Sequence, residues 1–164
     1  AARTAQEIPA FAYIAGTVAG TRAQAPPSPS LAQQDTAFSP NLLIVPVGTT
    51  VEFPNRDPFF HNVFSYSSAA RFDLGRYPRG ESKSVEFGEP GVVKVYCEVH
   101  ESMRAAVAVV QNPFNAVIAA DGTFRIANVP AGRHTLVVWH HDGGVREVAV
   151  DVRAGAVAPV QVRF

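Results

Sequence analysis

Val93-Lys94-Val95-Tyr96-Cys97-Glu98-Val99-His100-Glu101-Ser102-Met103-Arg104-Ala105-Ala106-Val107-Ala108-Val109 is the stretch that decides how this chain reads. Val93, Val95, Cys97 and Val99 fall on one face at period two, with Lys94, Tyr96 and Glu98 opposite. After a short interruption Ala105, Val107 and Val109 repeat the alternation. Two strands joined by a loop are predicted. Around that loop lie the only Cys and the only Met of the chain, with His100 midway between them.

These residue types belong together chemically. Thiolate and thioether are soft donors and imidazole is intermediate, so the set suits copper, which alternates between soft Cu(I) and harder Cu(II). A His₂Cys plane with a weak axial Met is a copper arrangement. With 5 His and 1 Met among 164 residues, both offsets from Cys97 arise by chance on the order of a few times in ten thousand. One loop provides three donors, so a fourth must come from elsewhere. His61 qualifies: it opens a predicted strand within Asn55-Arg56-Asp57-Pro58-Phe59-Phe60-His61-Asn62-Val63-Phe64, 36 residues before Cys97. Phe53, Phe59, Phe60, Phe64 and Phe87 are candidates for a dry shell that limits solvent access. Each donor also has a plainer reading, as a satisfied His, a buried strand Cys or a core-filling Met. A metal-free sandwich therefore stands beside the copper reading, and zinc is weaker because its usual ligands are Cys, His and carboxylates.

Working outward, the rest of the chain is β-like. Hydrophobic residues make up 47% and charged residues 17%, which is enough to build a core and too little charge for a disordered chain. Frequent Val, with 12 Gly and 13 Pro, favours strands and turns over helices. Leu42 to Val45 is a short apolar run, Val51 and Phe53 share a face, and His61 to Tyr66 and Ser84 to Phe87 are further strands. Arg71 to Gly80, punctuated by Gly75, Pro78 and Gly80, reads as a long loop. Net charge near zero excludes the basic footprint of a nucleic-acid binder. No stretch approaches the roughly 20 apolar residues of a membrane span. Ala1-Ala2-Arg3 does not open a signal peptide, so none is visible in this chain. A single Cys rules out an internal disulfide. Gly-x-Ser-x-Gly, a phosphate-binding Gly loop and His-Glu-x-x-His are all absent, so nothing argues for an enzyme.

The stretch from Phe38 to Gln111 resembles a cupredoxin of the plastocyanin and amicyanin branch. His61-Asn62-Val63 resembles the plastocyanin sequence around its first copper His, and Cys97-x-x-His100-x-x-Met103 resembles the short amicyanin loop. The resemblance implies an all-β Greek-key sandwich holding one type 1 (blue) copper ion. It makes His61 and His100 equatorial imidazole ligands, Cys97 the thiolate and Met103 the axial thioether. Asn62 becomes the residue that ties the first-His strand to the Cys loop. Val99 departs from the pattern, since relatives commonly have Pro before the loop His. The implied function is one-electron transfer in the periplasm or another exported location. A c-type cytochrome or copper oxidase is the implied partner, docking on a small apolar patch near Met103 and Ala105. Copper storage or delivery is the alternative.

Residues 113–164 carry a second β pattern. Asp121-Gly122 signals a hairpin before Thr123-Phe124-Arg125-Ile126; Val129-Pro130-Ala131-Gly132 leads into an alternating strand, and Val160, Val162 and Phe164 alternate at the end. This segment resembles a carboxypeptidase-regulatory-like, transthyretin-like β-sandwich. It is short for a complete sandwich, and the Ala10 to Val18 strand is a candidate to complete it. The expected division is an N-terminal strand and Pro-rich linker over 1–36, the copper domain over 37–112 and the second β domain over 113–164. His140 and His141 are adjacent in a predicted strand and so point to opposite faces, poorly placed to chelate one metal together. A secondary copper-capture site with Asp142 is the alternative for that pair.

Overall fold

The computed structural model describes residues 5–164. The described chain forms β1 (Phe11–Ile14), β2 (Ala32–Gln34), β3 (Ala37–Ser39), β4 (Leu42–Pro46), β5 (Thr49–Pro54), β6 (His61–Ser67) and β7 (Ala70–Tyr77). It continues with β8 (Ser82–Phe87), β9 (Gly91–Tyr96), β10 (Arg104–Val110), β11 (Asn115–Val117), β12 (Gly132–His140) and β13 (Gly144–Val152). There is no α-helix among the described residues, and no helix long and apolar enough to cross a membrane. The fold is an all-β sandwich. Contacts divide it into two compact units, one built from residues 5–8 and Gln24–Val110, the other from Pro9–Ala23 and Gln111–Phe164.

In the first unit a five-stranded sheet runs in the order β4-β10-β9-β6-β7. β4 lies parallel to β10, and the other neighbours are antiparallel. β5 pairs with β8, and β2 with β3, as separate two-stranded ladders. Period-two alternation explains the core. Val51 and Phe53 of β5 and Val93 and Val95 of β9 are fully buried in one apolar cluster, which continues into Cys97 and Met103. The β9 alternation stops at Tyr96, so Val99 lies outside the strand and is partly exposed rather than continuing the inner face.

The predicted loop over Arg71 to Gly80 is instead mostly strand. Phe72 and Leu74 pack on the core while Arg71 and Asp73 face out, which is β alternation. Gly75 does not end the strand. Between the pairs Asn62↔Arg76 and Phe64↔Asp73, one β6 residue opposes two β7 residues, and Gly75 takes φ +67° in that bulge. Beyond the bulge the register resumes with His61↔Tyr77.

The second unit is a four-stranded sheet in the order β11-β1-β12-β13. β1 pairs antiparallel with β11 on one side and β12 on the other. Ala12, Ile14, Phe114, Leu136 and Val138 form its buried cluster. Asp121-Gly122 does turn the chain, with the Ala119 N–H donating to the Thr123 carbonyl, but residues 123–131 form no strand. Asn128 at φ +59° and Pro130 break the extended backbone there. Val160 and Val162 likewise pack on the cluster without joining a ladder, after Gly155 at φ +71° and Pro159, which has no N–H to donate.

Candidate metal centre

The site lies at one end of the first unit, where two neighbouring strands and one loop converge. His61 is the first residue of β6 and Cys97 directly follows β9. His100 and Met103 lie in the loop that leads into β10. The Met103 N–H donates to the His100 carbonyl (2.9 Å), closing that loop into a tight turn. Adjacency in the sheet thus cancels the long sequence separation of His61 from Cys97.

His61 and Cys97 are buried, at 0% and 2% exposure, and His61 Nδ1 lies 3.6 Å from Cys97 Sγ. The His100 ring, partly exposed, has its centroid 5.0 Å from that of His61. One donor atom from each of His61, Cys97 and His100 falls within 4.8 Å of the others. Met103 is fully buried in the same apolar cluster as Cys97. The Phe59 ring stands edge-on to His61 (5.1 Å) and tilted on His100 (5.3 Å). Phe53 and Phe87 lie in the core behind. Phe60 and Phe64 are no part of a dry shell: Phe60 is 55% exposed and the Phe64 ring lies tilted against those of Tyr66 and Tyr96. An open cleft of about 730 Å³ borders the site, with Phe59, His100 and Ser102 among its walls.

Hydrogen bonds hold this arrangement. Asn62 Oδ1 accepts the Glu98 N–H (2.8 Å), joining the start of β6 to the residue after Cys97. On the other side of the His61 ring, Nε2 lies 2.7 Å from Asp57 Oδ2. Asp57 in turn accepts the N–H groups of Asp35 (2.7 Å) and Thr36 (2.9 Å). Asn55 accepts the Asp57 N–H through Oδ1 and donates through Nδ2 to the carbonyls of Phe59 and Tyr77.

The electrostatics follow from these contacts. Burial pushes the Cys97 thiol up, but the His61 hydrogen bond and N–H groups of His100, Asn62 and Val99 outweigh it, and the thiol ends below its ordinary value. Burial pushes His61 down, yet Cys97 and Asp57 leave it raised. Burial pushes Asp57 up, but the Thr36 N–H, His61 and the Asp35 N–H hold it below the usual carboxylate range. These contacts favour the thiolate, the form that binds metal, over what burial alone would allow.

Asp57 and Asn55 were not legible as site residues. Asp57 stands between Arg56 and Pro58, where an Asp reads as a turn former; its four-residue offset from His61 was the available signal. His140 and His141 lie elsewhere. His140 is exposed, its Nδ1 accepting the N–H groups of Asp142 and Gly143, and His141 lies 3.8 Å from Asp142. Among the described residues no cluster of three ligand-type side chains forms there.

The family model for copper binding proteins of the plastocyanin/azurin family matches residues 28–110. The chain belongs to that family. In this cupredoxin a second model, the β-sandwich domain of ER membrane protein complex subunit 7, matches residues 98–164. No curated protein matches the chain. Among solved structures, a copper-containing nitrite reductase from Thermus scotoductus SA-01 is 26% identical over 58% of this chain, with a TM-score of 0.49; the chain spans 25% of its length. A purple cupredoxin from Nitrosopumilus maritimus is 28% identical over 49% of this chain and 98% of its own, with a TM-score of 0.45. A Cu(I) amicyanin mutant is 23% identical over 60% of this chain and 97% of its own, with a TM-score of 0.48.

Copper is the family's metal, and the residues of this cupredoxin fit it. An ion bound at about 2.0–2.3 Å holds its donors no more than about 4–4.5 Å apart. The three donor atoms are within 4.8 Å of one another, so side-chain adjustments of a few tenths of an ångström suffice. One thiolate and two imidazoles are the donors of a trigonal copper plane.

Proposed function

We propose that this chain is a type 1 copper protein that carries single electrons outside the cytoplasm, and that it is not an enzyme. His61, Cys97, His100 and Met103 would hold the copper ion, through two imidazoles, a thiolate and a thioether. Copper bound there supplies one-electron Cu(II)/Cu(I) cycling. The observation that carries the reading is the buried His61–Cys97 pair, 3.6 Å apart, with the second imidazole at a partly exposed edge.

Each residue has a task. Donors of intermediate softness suit both oxidation states, so little has to move when the electron arrives. The apolar cluster behind Cys97 and Met103 resists movement, because packed cores deform little. Phe59 covers the imidazoles and restricts water. Of the four side chains His100 alone reaches the surface, so it is the route to the outside. Met103 and Ala105 are fully buried, so the predicted docking patch moves to the exposed Phe59, whose ring lies 5.3 Å from that of His100, and to the exposed Val99, the chain neighbour of His100. A small redox protein, such as a c-type cytochrome or a copper oxidase, is the partner this rim suits.

Titrating the metal-free protein with Cu(II) tests the reading. An intense visible thiolate-to-copper band is expected, and Cys97→Ser should abolish it. A colourless product would remove the proposal. Cyclic voltammetry then separates carriage from storage or delivery: fast, reversible cycling is expected of a carrier, whereas an inaccessible couple with transferable Cu(I) would favour delivery.

A further inference from the structure

The tip of the β2–β3 hairpin has an unusual backbone. Asp35 and Thr36 both take φ +56°, a left-handed conformation that is uncommon without glycine and an outlier for a β-branched residue. Successive N–H groups in such a turn form a concavity that binds anions. Here the anion is supplied by the chain itself: the Asp35 N–H donates to Asp57 Oδ1 and the Thr36 N–H to Oδ2. The same Oδ2 meets His61 Nε2 at 2.7 Å, and the two side chains are 0% and 6% exposed.

That geometry constrains the imidazole. Both Asp57 oxygens already accept a backbone N–H, the pattern of an accepting carboxylate, so the geometry favours the tautomer in which Nε2 carries the proton and donates it to Asp57. Nδ1 then faces Cys97 as the nitrogen available for a metal. Asn55 fixes the carboxylate's own backbone and the Tyr77 carbonyl together, and Tyr77 is the register partner of His61. The carboxylate and the ring it orients are therefore anchored to one frame.

We propose that Asp57, gripped by the Asp35 and Thr36 N–H groups, is the positioning residue of the metal centre: it holds His61 with Nε2 protonated and Nδ1 toward copper, and its charge favours Cu(II) over Cu(I). This rests on the copper reading above. A carboxylate behind a metal-bound His raises the ligand's basicity and fixes its ring.

The experiment compares wild type with Asp57→Asn, Asp57→Ala and Asp73→Asn, the last removing an exposed carboxylate as a charge control. Four quantities are read: the His61 Nε2 proton by NMR in the metal-free protein, the visible band, copper affinity and reduction potential. Wild type should show a slowly exchanging Nε2 proton. Asp57→Asn keeps an acceptor and should keep the proton and the band, with a more positive potential. Asp57→Ala should lose the slow proton, shift the band and bind copper about 10- to 100-fold more weakly. Asp73→Asn should match wild type. If Asp57→Ala does not fold, the potential of Asp57→Asn decides. Unchanged proton exchange, band, affinity and potential in the Asp57 variants would overturn the role. A wild type that takes copper with no thiolate band would instead sink the copper reading, and the Nε2 proton would still decide what Asp57 does to His61.

Discussion

At the scale of single residues, Tyr77 shows how the site is braced from behind. Its side chain is fully buried, and its hydroxyl donates to the Phe53 carbonyl at 2.7 Å. Burial pushes its phenol well above the ordinary value; the Gln33 side chain opposes this and the nearby Cys97 adds to it. Folded Tyr77 therefore keeps a proton that the unfolded chain releases near pH 10. Stability from this group is fully present below pH 10 and falls as pH rises beyond it. Tyr77→Phe should flatten the alkaline limb of a stability–pH curve measured by urea unfolding. At neutral pH it should cost about 1–2 kcal/mol, because the Phe53 carbonyl loses its donor. An alkaline limb as steep as in wild type would show that the slope arises elsewhere. Residue-level legibility was uneven for a physical reason. Cys97, His100 and Met103 announced themselves because three donor types fall in seven residues. Asn55, Asp57 and Tyr77 reach the site through hydrogen bonds to Tyr77, His61 and Phe53, 4 to 24 positions away, and such pairings leave no local pattern.

At the scale of elements, β7 is the instructive case. Gly75, Pro78 and Gly80 all looked like loop punctuation, yet only the last two lie outside the strand. Glycine inside a strand is ambiguous from sequence, because a turn and a bulge both use its left-handed freedom. The pairing partner decides between them, and β6 is that partner. β9 was legible because its buried Val93 and Val95 alternate with Lys94 and Tyr96, and β10 because it is an unbroken apolar run, buried on both faces from Ala105 to Val110, whereas Val160, Val162 and Phe164 alternate in sequence but join no ladder. A substitution separates bulge from packing at Gly75. A Cβ added there meets no heavy atom within 4 Å, so steric crowding is absent and only backbone strain remains. Gly75→Ala should cost about 1–2 kcal/mol. Gly75→Asn should cost clearly less, since Asn tolerates left-handed backbone. Denaturant midpoints measure both. Equal losses for the two variants would argue against strain at the bulge.

At the scale of the whole molecule, the centre is assembled by the fold from pieces that sequence places unequally. Cys97, His100 and Met103 stay together in any conformation of the chain, while His61 reaches them only when β6 and β9 are side by side in one sheet. Copper therefore has three local donors even in the unfolded chain, and binding to that state weakens the stabilisation that mass action gives the native one. The native advantage lies in the fourth donor and in burial. For wild type, free copper at 100-fold over its dissociation constant would add about 2.7 kcal/mol if the unfolded chain bound none. In a domain the size of the first unit that corresponds to a rise in Tm of roughly ten degrees or more. His61→Ala keeps every local donor and removes the one that folding recruits. Its copper-dependent shift in Tm, measured against its own metal-free form with Cu(I) under reducing conditions, should shrink to a small fraction of the wild-type shift. A shift in His61→Ala as large as in wild type would mean that the loop alone binds copper natively, and that β6 contributes shape to the centre without contributing a ligand.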